Sequence, residues 1–241
     1  MKNTKKIELF ILKTPPKKSQ LDGAQYVGGG QSKLTFLGHR IPQLRQLYKE
    51  NFSYADLTLK ERLKIWDEVF KNSKIFEVMS LSMFWAGTLS KQDLIKIWLT
   101  LKTWSLSIDN WAHSDSLCQL YAEILEEKPE LILPTLRKWN RSKNPWLVRI
   151  SMISLYYYTQ HRETLPTQKL AEEFLKEHWG HEHYYVQKAI GWTLREYITA
   201  YPKSGLGFFT KNVRRVSGIA FTAASERLSS TEKSRIKAMR K

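Results

Sequence analysis

A single cysteine, Cys118, is all the sequence offers. No intramolecular disulfide can therefore brace the fold, and a reducing, cytoplasmic setting is expected. Long hydrophobic runs are missing too. Nowhere do the roughly 18 consecutive apolar residues of a membrane span occur. The start, MKNTKKIELFILKTPPKK, is basic, but its apolar stretch is short, is interrupted by Glu8 and is followed by no small-residue cleavage site. No secretory signal is expected there. Metal-ligand spacing is equally scarce. His178, His181 and His183 share their segment with no cysteine, and no HExxH pattern exists, so neither metal nor cofactor is expected. Acidic charge is in short supply: 39 Lys and Arg face 23 Asp and Glu, for a formal charge of +16.

What is present is a chain of 241 residues, 42% hydrophobic and with nine tryptophans, long enough to bury a core and too apolar for a disordered tail. Its positive excess opposes compaction unless a polyanion uses it, so nucleic acid is the leading partner. A membrane surface is the weaker choice, because the cations are spread over all the segments and not gathered in one amphipathic anchor.

Residues 1–23 read as an irregular basic segment and residues 24–241 as a single helical-repeat domain. Pro15, Pro16 and the run Gly28–Gly29–Gly30 punctuate the first 40 residues, and a helix opens near Pro42. From there to about residue 201 apolar residues recur at three and four, as in LKIWDEVFKNSKIFEVMSLSMFWAG, and no series of alternating strands intervenes. The tail from Lys203 is expected to add one or two short helices.

An internal repeat organises the middle. Trp104 and Trp111 are separated by six residues, and so are Trp139 and Trp146, 35 positions further on; Trp179 and Tyr185 form a degenerate third copy. Each copy has a helix ending at a tryptophan, a polar turn, and a second helix starting at an aromatic. Such a period of helix pairs predicts an all-α fold, an α-solenoid of HEAT-like repeats whose second helices line a concave, basic groove. A generic helical bundle is the alternative.

Aligning the copies on their aromatic helix starts puts Ser114, Arg149 and Lys188 at one position and Asp115, Ile150 and Ala189 at the next. One copy thus has a carboxylate where the others are apolar. In SIDNWAHSDSLCQLY, Trp111 and Asp115 fall one turn apart on one helix side. Lys188, Trp192 and Arg195 follow one another along a face of the third copy. Each also has an ordinary reading: Trp111 and Trp192 as core aromatics, Arg149 and Arg195 as rim residues paired with Glu196 or other acids, and Asp115 as a surface acid favouring the helix dipole, with Asp109 or Asn110 as the cap.

These same residues carry a resemblance. In order, QYVGGGQSKLTFLGHRIPQLRQL, DNWAHSD, NPWLVRISMI and VQKAIGWTLREY resemble the motifs of the AlkD-type DNA alkylation-repair glycosylases over roughly residues 24–201. The resemblance implies a basic concave surface that holds duplex DNA and releases cationic N-alkylated purines such as 3-methyladenine and 7-methylguanine. Position by position, it makes Asp115 the catalytic aspartate, Trp111 and Trp192 the tryptophans flanking the lesion's sugar, and Tyr26 a tyrosine near them. Arg149 and Arg195 match arginines that contact the DNA backbone; Lys188, from its place in the repeat alignment alone, is expected to contact phosphate beside them. It further implies a lesion handled from the backbone side without enclosure. A departure is AHSD, where the family often has a second acid and a small apolar residue before the aspartate.

A monomer bound to alkylated duplex DNA is expected, without membrane contact, nucleoid-associated when on DNA. Two other functions share parts of this pattern: a non-catalytic DNA-binding repeat protein that recognises branched or unusual DNA, and a helical scaffold for protein partners.

Overall fold

The computed structural model describes residues 2–16 and 23–240. Their secondary structure is helical, apart from one isolated parallel bridge between Thr35 and Ile75. The chain forms two compact units, Met1–Leu120 and Tyr121–Lys241.

The first unit begins with α1 (Lys2–Lys13), where an irregular segment was expected. Ile7 and Ile11, four apart and fully buried, explain the difference: α1 packs on α4 and α5, and this tertiary burial stabilises a helix too short to stand alone. Glu8, which interrupts the apolar run, accepts a hydrogen bond from the Ser73 hydroxyl at 2.7 Å. The rest of the expected irregular segment, residues 17–22, lies outside the described residues.

A short helix, α2 (Gly23–Gly28), precedes α3 (Ile41–Asn51), which has Pro42 in its first turn. α4 (Leu59–Asn72) starts with a capping box in which Thr58 and Glu61 satisfy each other's backbone N–H groups. Next come α5 (Phe76–Ala86), α6 (Lys91–Lys96) and α7 (Trp98–Trp104). The core gathers Trp66, Trp85 and Trp104, with Trp104 stacked on Phe70 at 4.5 Å. A 3-10 turn, Ser105–Ser107, leads into α8 (Trp111–Glu127), which runs on into the second unit.

In the second unit α9 (Pro129–Asn140) packs on α10 (Pro145–Ile153), and both carry proline in the first turn. α11 (Gln168–Lys176) and α12 (Tyr184–Ala200) follow, with α12 packed on α10, α11, α13 and α14. α13 (Pro202–Asn212), α14 (Gly218–Ala224) and α15 (Ser230–Ala238) make three helices of the expected one or two. α12 and α14 approach closely at Gly191, where a Cβ would collide with the carbonyl and Cα of Ala220.

The expected punctuation is visible. α7 ends at Trp104 and α8 begins at Trp111; α9 carries Trp139 at its end and α10 Trp146 at its start; Trp179 follows α11 and α12 opens at Tyr184. The chain is an all-α, HEAT-like helical-repeat protein.

Candidate active site

The start of α8 is built from the inside outward. Asn110 caps the helix: its side-chain oxygen accepts from the His113 backbone N–H at 2.9 Å. Its amide nitrogen lies 3.2 Å from His113 Nδ1. On the other side of the ring, Nε2 lies 3.0 Å from the Ser80 hydroxyl, which already donates to the Phe76 carbonyl. The hydroxyl therefore accepts, so Nε2 carries the proton and Nδ1 accepts from Asn110. The ring stacks on Phe76 at 4.4 Å, and complete burial pushes its pKa down to about 4. His113, the departure in AHSD, is thus a neutral packing residue that fixes the first turn of α8 against α5.

Asp109, just before the cap, grips the loop after the glycines. Its carboxylate accepts from the Ser32 hydroxyl at 2.8 Å and from the Lys33 backbone N–H at 2.7 Å. Gly29 and Gly30, at φ 59° and 73°, make the left-handed turn that brings this loop back. A second carboxylate holds the continuation: buried Glu77 accepts from the backbone N–H groups of Leu37 and Gly38, both at 2.8 Å, and of His39 at 3.3 Å. The sequence offered Asp109 only as a possible cap, a role that Asn110 takes, and it did not single out Glu77. The available signal for Glu77 is its place as the lone charge in FEVMSLSMFWA.

On this support sit the three predicted residues of the first unit. Trp111 donates its indole N–H to the Tyr26 carbonyl at 2.8 Å, and the Tyr26 ring meets the indole edge-on at 5.4 Å and 78°. Tyr26 is 57% exposed. Asp115, half-buried, lies one helical turn beyond Trp111 on α8. No acid occupies the first turn of that helix, so a dipole role explains Asp115 poorly, since that effect fades beyond one turn. The aligned positions Ile150 and Ala189 are fully buried; only the copy with the carboxylate is open to solvent.

The predicted residues of the second unit divide. Lys188 is exposed on α12. Arg149 is only 5% exposed, and its Nη1 donates to the Tyr185 carbonyl at 3.0 Å, tying α10 to the first turn of α12. That burial does not suit the phosphate contact expected of it: long reach in sequence terms is consumed by a neighbouring helix. Arg195 has a side chain 12% exposed, shared between buried Glu196 and exposed Glu226. Its guanidinium lies over Trp192, 5.4 Å from the ring centroid. Trp192 is half-buried and flanked by Tyr157 and Tyr158.

The described residues contain no group of three or more His, Cys, Asp or Glu arranged to hold a metal ion, and none of their helices is long and apolar enough to cross a membrane.

Comparison with known proteins follows the same lines. Residues 18–228 match the family described as DNA alkylation repair enzyme. No curated protein matches the sequence. Among solved structures, a predicted DNA alkylation repair enzyme from Enterococcus faecalis shares 18% identity at a TM-score of 0.64, covering 88% of this chain and 99% of that one. The smu.31 protein of Streptococcus mutans UA159 shares 18% identity at a TM-score of 0.52, covering 83% of this chain and 90% of its own.

Proposed function

The chain belongs to the DNA alkylation repair enzyme family, and from that premise we propose that it is a DNA glycosylase that removes cationic N-alkylated purines, 3-methyladenine and 7-methylguanine, from duplex DNA. The observation that carries this reading is the pairing at the start of α8: a carboxylate one turn from an indole that is held in place by the Tyr26 carbonyl.

The chemistry asks for little more. A purine alkylated at N3 or N7 already carries positive charge, so the glycosidic bond electrons can leave with it as a neutral base and no general acid is required. Positive charge then develops on the sugar. Asp115 stabilises that charge and orients or deprotonates the water that adds at the sugar carbon. The Trp111 face adds cation–π attraction to the same centre. In the second unit, Trp192 offers an aromatic surface and Lys188 a phosphate contact, while Arg149 and Arg195 act by holding helices and the Trp192 ring in position. Backbone contacts of this kind hold duplex DNA without reading its sequence.

Single-turnover excision of 7-methylguanine from a duplex tests the assignment. Asp115→Asn preserves shape and removes charge. It is expected to slow excision by one to about three orders of magnitude, the scale of losing one preorganised electrostatic group, while duplex affinity persists. Wild-type excision by the variant overturns the role of Asp115. A wild-type protein that binds duplex DNA and excises no cationic base replaces this reading with that of a non-catalytic DNA-binding member of the family.

A further inference from the structure

Tyr158 stands out in the second unit on its backbone. At φ 43° and ψ 67° it occupies the left-handed region, which a residue with a bulky side chain enters only at an energetic cost. Nothing in the core requires that side chain: Tyr158 is 43% exposed. Its neighbour Tyr156 shows the contrast, being fully buried and stacked on Tyr197 at 5.9 Å. Strain at an exposed aromatic points to use of the ring at the surface.

The ring is also firmly supported. It meets Tyr157 edge-on at 4.7 Å and Trp192 edge-on at 6.2 Å, and Tyr157 leans on Trp192 at 5.8 Å. Behind it, the buried carboxylate of Glu196 accepts from the Thr159 hydroxyl at 3.2 Å, pairs with Arg195 at 3.1 Å and with Arg227 at 3.0 Å. One acid thereby fixes the turn that carries Tyr158 and two guanidinium groups beside it. The Arg227 side chain is 40% exposed. An exposed, pre-positioned π-face next to cations is how proteins hold unstacked nucleobases without sequence preference.

We propose that Tyr158 is a stacking residue for a nucleobase left unpaired in damaged duplex DNA, with Arg227 neutralising the adjoining phosphate. This rests on the DNA-binding part of the function proposed above, and it adds a preference for locally unpaired duplex that Asp115 does not supply.

The test compares two duplexes of one sequence, one fully paired and one with a tetrahydrofuran abasic nucleotide opposite a 2-aminopurine. Anisotropy gives affinities, and 2-aminopurine fluorescence reports stacking. Wild type and Tyr158→Phe are expected to prefer the abasic duplex and to quench the fluorophore. Tyr158→Asn, which tolerates the left-handed backbone, is expected to lose between about fivefold and a hundredfold of that preference. It should also lose the quenching, while its paired-duplex affinity and melting temperature are maintained. Wild-type preference and quenching in Tyr158→Asn overturn the proposal, as does a wild type that binds both duplexes equally. A wild type that binds neither duplex overturns the DNA reading itself.

Discussion

Arg149 and Lys188 occupy aligned positions in the repeat, yet one is buried and bonded to a carbonyl while the other faces solvent. Their alanine variants should therefore behave differently. Lys188→Ala is expected to leave thermal stability unchanged and to reduce the slope of log affinity against log salt by somewhat under about one. Arg149→Ala removes a buried side chain and the charge-assisted bond that ties α10 to the first turn of α12, and should lower stability by about 1–3 kcal/mol, measured by urea denaturation. Equal salt-slope changes with equal melting temperatures in the two variants would contradict these placements. His113 supplies a pH signature. Its folded pKa, about 4, lies below the unfolded value, so the unfolded chain binds the extra proton between the two. Its contribution to stability is complete above about pH 6.5 and declines as the pH falls towards 4, at up to about 1.4 kcal/mol per pH unit. Melting curves from pH 7 to pH 4.5 should fall less steeply for His113→Gln than for the wild type.

At the scale of elements, glycine decides how closely α12 and α14 approach. Gly191 faces Ala220 and Ala223 with no room for a Cβ, whereas Gly207 on α13 has nothing within 4 Å of one. Helix propensity favours alanine at both by up to about 1 kcal/mol. At Gly191 the collision outweighs that gain, and Gly191→Ala should destabilise by about 1–3 kcal/mol. Gly207→Ala should stabilise by a few tenths to about 1 kcal/mol. Denaturant midpoints of the two variants, measured together, should move in opposite directions. The start of α8 shows a different element-level device. Cap, buried histidine and loop-gripping Asp109 lie within five consecutive residues, 109–113, so the start of the helix that bears Trp111 and Asp115 is fixed by its own immediate neighbours.

For the molecule as a whole, the charge of +16 sets the terms of association. Duplex DNA is expected to raise the melting temperature at low salt, since a ligand of the folded state stabilises it by mass action. That shift should disappear as salt rises into the range where phosphate contacts are displaced. A DNA-induced shift that is insensitive to salt would speak against an electrostatic interface. Some arginines are nonetheless committed to acids of the same chain, Arg162 beside Glu126 in the interior and Arg137 beside Glu173 at the surface.

The sequence by itself determined whatever depends on local geometry. Apolar spacing near 3.6 marked the helices, tryptophans and prolines marked where pairs begin and end, and the four-residue step from Trp111 to Asp115 placed both on one side of α8. Net charge, too, is a property of composition alone. Only the tertiary structure decided which groups remain available. Ile7 and Ile11 make a helix of a segment that looked irregular because α4 and α5 lie against them. Tyr26 reaches Trp111 across 85 positions, and Arg149 meets Tyr185 across 36. Periodicity carries no record of such partners: a guanidinium looks the same in sequence whether it faces solvent or a carbonyl. The packed neighbour makes that choice, because a buried polar group must find its hydrogen bond wherever the fold supplies one.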